Sequence, residues 1–541
     1  MKYPVPTLVL NGFMGSGKST VGRLVAERAG ARFVDLDEVI TVRAGKSVEA
    51  IFRDLGEPAF RALEAEMLEE ALAGASAGGD SGEGARPCVV AVGGGAMLNR
   101  KRRREALTRA CVVTLTATPD MLVARTAGSA RPLLAGAEDP LKRVRELLED
   151  RAEAYLEAHA QVPTDERSPE QVAEAVLTAW SQRPIAVALG LRSYTVRFTT
   201  GAAEVAAEAV ARLTPTGVFV VTDENVAAHW GGPLAEALTA RGLTPRATVV
   251  LTPGEEHKRL GPIEKALTVM VEAGADRGAV VVGHGGGVVT DMAGFAAATL
   301  LRGVRWVALP TTLLSMVDAS VGGKTGVDLG PAKNAVGAFH QPSAVVIDVA
   351  KVSTETDRNY RSGLAEVVKA ACIADPELLT LLERSSAEVL ARKASVVEEL
   401  AFRAIAVKAA IVARDEHETG DRALLNFGHT IGHALEAEGG FHRLTHGEAV
   451  ALGMVAMLRV GQALGVTPAD EAERVIHLLA RLELPVDLDA QPLAAALRFI
   501  GLDKKRRGSS VRAVVMERVG ATRVYPLALD AFPALLGVTP A

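Results

Sequence analysis

At 541 residues the chain is too long for one ordinary core, and length favours two to four domains. A hydrophobic share of 48% and a charged share of 23% suit a soluble globular protein, while 4% aromatics argue against a surface that stacks bases. A net charge of −5 argues against a general polyanion-binding face, and three scattered cysteines (Cys88, Cys111, Cys372) form neither a disulfide framework nor a thiolate metal pattern.

The N-terminal run TLVLNG is far too short to span a bilayer, no basic segment precedes it, and charges interrupt every later apolar run, so the expected location is the cytoplasm. TLVLNG, CVVAVGGG and CVVTLTAT read as buried strands, separated by helical patterns such as TVGRLVAERAG and PAFRALEAEMLEEALAG. That alternation predicts a parallel sheet covered by helices. Residues 74–87 are small and polar, as in an exposed loop. Ser168 and Pro169 read as the N-cap and first position of a helix, and a domain boundary is expected near residue 183, dividing 1–182 from 183–541. From there to 350 the strands of VFVVTDENV, ATVVLTPGEE and AVVVGHGGGVVTD predict a second α/β sheet; from 351 to 541 an all-helical part is expected.

Gly12-Phe-Met-Gly15-Ser16-Gly17-Lys18-Ser19-Thr20 fits the P-loop pattern between a strand and a helix. Its backbone N–H groups and Lys18 suit nucleotide phosphates, and Ser19 suits Mg2+. In FVDLD, strand alternation would turn Asp35 and Asp37 to one side, for the metal and for substrate hydroxyls. Arg61, Arg131 and Arg151 add guanidinium groups that can grip a small acid. Any one of them alone reads as a solvated surface residue.

These motifs, GFMGSGKSTVGR, DLDEVI, IFRDLGEPAFRALE, VGGGAML and RPLL, in this order make residues 1–180 resemble shikimate kinase. The resemblance implies ATP and Mg2+ at the P-loop with Asp35 near the metal. Shikimate would meet Asp37, Arg61, Gly93, Gly94, Gly95 and Arg151, and Arg131 would close a lid over the phosphates. Asp37 would also orient or deprotonate the attacking hydroxyl.

In the second half, Gly285-Gly-Gly287 after a strand can admit a pyrophosphate, although as a motif it is equally a tight turn. His429 and His433 stand four apart on one helix face, His446 follows, and Glu366 lies on an earlier helix. Histidines with one carboxylate have the composition of a catalytic zinc site. Lys324, Lys333, Lys369, Lys408, Arg422 and the run at Asp503 punctuate apolar motifs, as a phosphorylated acid would require.

PGEEHK, GHGGGVVTD, VGGKTGVD, GLAEVVK, RDEHETGDRALLNFGHTIGHALE and HGEAV make residues from about 185 onward resemble 3-dehydroquinate synthase. The resemblance implies zinc (or cobalt) on Glu366, His429 and His446. It implies NAD on Asp223, Asn225, Glu255, Lys258, Gly286, Gly287, Asp291, Thr311, Thr312 and Lys333. Substrate would meet Asp318, Lys324, Asn334, Lys369, Lys408, Arg422, Asn426 and His433, with Arg302 reaching the neighbouring subunit of a homodimer. The family chemistry is oxidation at C5 of a seven-carbon phosphorylated acid, loss of phosphate, return of the hydride, and aldol closure. The chain departs from the family where Glu355-Thr-Asp-Arg358-Asn359 replaces LP-x-RE, Ala332 replaces the glycine of GKN, and Asp328 replaces an Asn. A sugar-phosphate cyclase, a polyol dehydrogenase and a non-catalytic P-loop module are the rival readings.

Overall fold

The structure, a computed structural model, describes residues 6–74, 87–127, 133–134, 138–330, 332–500, 506–507 and 510–538. Arg131, Asp503 and the polar stretch 75–86 therefore lie outside the described residues. The chain divides into two compact units, Met1–Arg197 and Phe198–Ala541.

In the first unit a five-stranded sheet runs in the spatial order Arg32–Asp35, Cys88–Ala91, Thr7–Gly12, Cys111–Thr116, Ala160–Pro163, every pair parallel. The central strand Thr7–Gly12 is wholly buried, which is why it reads as an unbroken apolar run. Helices cover both faces and divide the core into a cluster around Val9, Ile40 and Met67 and another around Leu8, Val25 and Trp180. Ser168 accepts from Gln171 N–H and Gln171 returns the bond in a capping box, so this helix starts where the sequence places it.

One local expectation fails. The strand stops at Asp35, and Asp37 lies in the first turn of the helix Leu36–Ala44. Asp35 is that helix's N-cap, its carboxylate accepting the Asp37 N–H at 3.1 Å. Strand alternation therefore does not set the relation of the two carboxylates; a helix cap does.

The second unit contains the parallel strands Val218–Asp223, Ala247–Leu251, Val280–Gly285, Arg305–Pro310 and Ala344–Ile347, with Val280–Gly285 between Val218–Asp223 and Arg305–Pro310. An antiparallel pair, Lys324–Leu329 with Ala332–Phe339, projects between the fourth and fifth of these. Helices then dominate, notably Asp357–Ala374, Ala394–Arg414, His429–Glu438 and His446–Ala463. The sequence reading did not carry the antiparallel pair Ser510–Arg518 and Ala521–Ala528 that packs onto this helical part. Glycines let helices cross closely: a Cβ on Gly453 would lie 1.9 Å from the carbonyl oxygen of Gly428, so His446–Ala463 is seated against the segment that carries His429.

Candidate active sites

The first site is a cleft of about 650 Å3 at the carboxyl ends of the first sheet, lined by the P-loop, Asp35, Asp37, Arg61, Gly93–Gly95 and Arg151. Gly15 and Gly17 take positive φ of 80° and 92°, and Gly17 caps the helix Lys18–Ala29, so N–H groups and the helix start face the cleft. Lys18 Nζ donates to the carbonyls of Gly12 and Phe13 at 2.9 Å, which holds it across the loop. Ser19 Oγ donates to Asp35 Oδ2 at 2.6 Å, and this hydroxyl–carboxylate pair fits the outer ligand set of Mg2+.

The acid-binding end is built on three glycines. A Cβ on Gly95 would lie 2.3 Å from Arg61 Nη2, and one on Gly93 would lie 2.2 Å from Glu64 Oε1. Arg151 Nη1 and the Tyr155 hydroxyl both donate to the Gly94 carbonyl, at 3.2 and 2.7 Å. Glu64 is a residue the sequence reading passed over. It is 1% exposed and pairs with Arg61 at 2.7 Å. Burial raises its pKa, and Arg61 opposes that rise. Glu57 also accepts from Arg61 Nε and Nη2, at 3.2 and 2.9 Å, so two carboxylates fix the guanidinium. In sequence, Arg61 and Glu64 look like an ordinary surface pair three residues apart on a helix.

The second site gathers Glu366, His429 and His446, whose ligand atoms all lie within 4.8 Å of one another. Among the described residues Glu366 Oε1 is buried without a hydrogen-bond partner, and it stands 3.4 Å from His446 Nε2 and 3.6 Å from His429 Nε2. Two ligand atoms each about 2.1 Å from a tetrahedral ion are separated by about 3.4 Å, so this set fits Zn2+ or a similar cation. A buried carboxylate oxygen otherwise without a donor is the feature such an ion would satisfy. His433 does not join that triad: its Nε2 is 4.0 Å from Glu436 Oε2 and its ring is 5.2 Å from that of His429.

Glu436, also passed over, is 3% exposed and joins Lys333 at 2.9 Å to His446 Nδ1 at 3.3 Å. Burial opposes its charge, but Lys333 and His446 hold its pKa well below the usual carboxylate range. Burial likewise disfavours a charged His446, yet Glu436 and Glu366 outweigh it and lift its pKa to about 9. A carboxylate on the far ring nitrogen orients a metal-binding imidazole. Glu436 falls seven residues after His429 and three after His433, on the same helix face, which was the signal available in sequence.

Cations surround this centre. Lys369 pairs with Glu366 and lies 3.8 Å from Asp318 Oδ1; Lys408 Nζ donates to Asp318 Oδ1 at 2.7 Å. Burial opposes a charged Asp318, and the two lysines overcome it, holding its pKa low. Arg422 is 2% exposed and donates to the carbonyls of Gly322 and Glu416. Lys324 pairs with Glu418, a third carboxylate the sequence reading missed, which also accepts from Asn426 Nδ2 at 2.5 Å.

A continuous network leads to the residues expected for the dinucleotide. Lys258 Nζ donates to Asp291 Oδ2 at 2.6 Å and to Asn334 Oδ1 at 2.7 Å, and Lys333 lies 3.5 Å from Glu255. A Cβ on Gly286 would come within 3.1 Å of Thr312, so the turn opening the helix Gly287–Thr299 has room only for backbone to approach a ligand. Thr311 is buried nearby in chain, its N–H bonded to the Gly285 carbonyl at 3.0 Å. Asp223 is engaged as a helix N-cap on Val226, and Asn225 is exposed. Arg302 is exposed in a turn where it and Leu301 both have positive φ, 72° and 51°.

Fold and sites define two classes of enzyme on one chain: a P-loop phosphotransferase, and a doubly wound α/β enzyme that pairs a dinucleotide crevice with a metal centre. Residues 14–181 match the family profile for shikimate kinase, 248–362 that for the 3-dehydroquinate synthase N-terminal part, and 363–506 that for its C-terminal part. The chain is 42% identical to a 3-dehydroquinate synthase of Geobacter metallireducens over 345 residues, covering 63% of this chain and 95% of that protein. Among solved structures it is similar to 2-epi-5-epi-valiolone synthase of Streptomyces hygroscopicus with NAD+ and Zn2+ bound, at 28% identity and a TM-score of 0.58 over 63% of this chain and 95% of that one. A shikimate kinase of Acinetobacter baumannii in complex with shikimate aligns at 34% identity over 32% of this chain and 93% of that one, with a TM-score of 0.29. The chain belongs to the 3-dehydroquinate synthase family, fused to a shikimate kinase.

Proposed function

We propose that the chain phosphorylates shikimate with ATP in one site and converts 3-deoxy-D-arabino-heptulosonate 7-phosphate to 3-dehydroquinate in the other, serving aromatic amino acid biosynthesis. The working division is a kinase over 1–182 and a synthase over 183–541, in which 183–350 takes NAD and 351–541 takes metal and substrate.

In the kinase, the P-loop N–H groups and Lys18 hold the ATP phosphates, while Ser19 and Asp35 hold Mg2+. Arg61, braced by Glu64, and Arg151 grip the substrate carboxylate, and the Gly93–Gly95 turn meets its hydroxyls. Asp37 orients the attacking hydroxyl. Arg131 closes over the phosphates and excludes water.

In the synthase, Glu366, His429 and His446 hold the divalent ion, Zn2+ or Co2+, and Glu436 orients His446. Bound there, the ion would supply Lewis-acid polarisation of a substrate oxygen, and NAD would supply a reversible hydride acceptor. Lys258, Asp291, Glu255, Lys333 and the Gly286–Gly287 turn hold the dinucleotide, with Asp223, Asn225, Thr311 and Thr312 beside it. Lys324, Lys369, Lys408 and Arg422 neutralise the substrate's phosphate and carboxylate and Asn334 and Asn426 hydrogen-bond it, with Asp318 fixing the two buried lysines. His433 stands beside the metal set as a proton-transfer group. The chain acts as a cytoplasmic homodimer in which Arg302 completes the neighbouring site.

The buried Glu366 oxygen between two imidazoles, without a hydrogen-bond partner among the described residues, carries this reading for the synthase. The cations around it favour a phosphorylated acid over phosphorylated sugars that lack the carboxylate, the substrates of related cyclases. Phosphate release from the heptulosonate should require NAD and the divalent ion; release at an undiminished rate after both are removed would refute it.

A further inference from the structure

The acid-binding end of the first site rests on a buried ion pair outside the P-loop and the three glycines. Glu157 is 0% exposed and Arg103 2%, and they pair through Glu157 Oε2 and Arg103 Nε. Arg103 Nη1 also donates to the carbonyls of Met97 and Leu98, at 2.6 and 3.1 Å. The Leu98 N–H in turn bonds to the Gly95 carbonyl at 3.1 Å, so Arg103 holds the segment that continues from the glycines. On the other side, Glu157 follows directly on the short helix Ala152–Leu156. That helix carries Tyr155 and is capped by Arg151, the two residues that donate to the Gly94 carbonyl. The ion pair therefore ties together the two segments that meet at Gly94.

The second carboxylate oxygen of Glu157 is served from further along the chain. Oε1 lies 3.7 Å from the exposed Arg100 and accepts the Gly190 N–H at 2.8 Å. Gly190 has a φ of +66°, and a Cβ there would lie 2.7 Å from Glu153 Oε1, so the turn comes this close only as glycine. Ser193 closes the turn, its Oγ accepting the Leu189 N–H at 2.9 Å and donating to the Gly190 carbonyl at 2.6 Å. Ala188, Leu189 and Gly190 are buried, so the bond to Glu157 is made out of water, where an N–H on a carboxylate is strong and its loss costly. Gly190 lies beyond the shikimate kinase match, which ends at residue 181, and before the synthase match, which begins at 248. It nevertheless belongs to the first compact unit, Met1–Arg197.

We propose that the Leu189–Ser193 turn is a positioning element of the kinase, its Gly190 N–H completing the Glu157–Arg103 brace that sets Arg151, Tyr155 and the Gly94 turn for the substrate acid. The kinase then extends past residue 182. The identity of the acid rests on the shikimate kinase reading; the brace does not.

The test uses the full chain and Gly190→Pro, which has no N–H and cannot take the left-handed turn. ADP formation with shikimate varied, then with ATP varied, gives the two KM values, and 3-dehydroquinate formation in the same tube reports the integrity of the chain. The shikimate KM should rise about tenfold, with the ATP KM and the synthase rate at parental values. A shikimate KM within about threefold of the parent, or a fall in kcat with both KM values unchanged, overturns the positioning role. Hydrogen exchange reads the brace without activity: peptides over 93–98 and 151–157 should exchange faster in the variant, and unchanged exchange in both overturns the brace. A parental chain that forms no ADP with shikimate sinks the kinase reading alone, and exchange then decides the brace. If Gly190→Pro fails to fold or slows both reactions, Ser193→Ala, which opens the turn by removing one hydroxyl, is read by the same criteria.

Discussion

Gly447 follows His446 at the start of a helix, and its N–H donates to Ser362 Oγ at 2.8 Å. A Cβ there would lie 1.9 Å from the Ser362 carbonyl oxygen and 2.5 Å from its carbonyl carbon, all backbone atoms of the helix that carries Glu366. Ordinary contact begins at 3.4 Å, so Gly447→Ala forces the two helices apart locally by the difference, about 1.5 Å. His446 Nε2 now stands 3.4 Å from Glu366 Oε1, and that increment would carry it to about 5 Å. Two ligands of one zinc ion, each about 2.1 Å away, can be at most about 4.2 Å apart. The variant should therefore lose one ligand, bind zinc roughly 10- to 100-fold more weakly, and cost on the order of 1–3 kcal/mol in stability of the synthase. Zinc retained in buffered-metal dialysis and 3-dehydroquinate formation are the readouts, with shikimate phosphorylation in the same tube as the control for chain concentration. Wild-type zinc affinity with at least half the synthase rate would refute the geometric argument.

Glu64→Ala removes the buried one of the two carboxylates that hold Arg61, leaving only the exposed Glu57, so the KM for shikimate should rise about tenfold while that for ATP stays unchanged. Glu355 accepts the Leu313 N–H at 3.0 Å, and its pKa is pushed by burial to about 7 from 4.5. The folded state thus holds this proton more tightly than the unfolded chain, and stability falls as pH rises from about 4.5 through 7. Glu355→Gln should then be the more stable protein at pH 8, by roughly 2–3 kcal/mol, with the gain gone near pH 4; a pH-independent difference in denaturant unfolding would contradict this. Stripping the chain with a strong zinc chelator and returning only Mg2+ should abolish the synthase reaction and restore the kinase.

The parts of these sites that could be read in sequence are those whose chemistry is local. The P-loop occupies one turn between a strand and a helix, and His429 and His446 sit within eighteen residues in distinctive motifs. Glu64 and Glu418 were not legible, because a glutamate on a helix or loop reveals its role only through burial and through the arginine, lysine or asparagine it meets; for Glu436 the helical spacing from His429 and His433 was the one available signal. FVDLD misled for a related reason: two acids spaced by one residue fit a strand, and only the cap bond from Asp35 to the Asp37 N–H shows the helix beginning there. The hairpin Ser510–Ala528 escaped notice because its long runs do not alternate cleanly: both faces of VVM are buried against helices.

One chain carries two separate catalytic centres, and paired variants measure that directly. Lys18→Met should lower shikimate-dependent ADP formation by about 10²–10³-fold while phosphate release from the heptulosonate continues at the parental rate. His446→Ala should do the reverse. If either substitution abolished both reactions, or left its own reaction intact, the assignment of the two sites would be wrong.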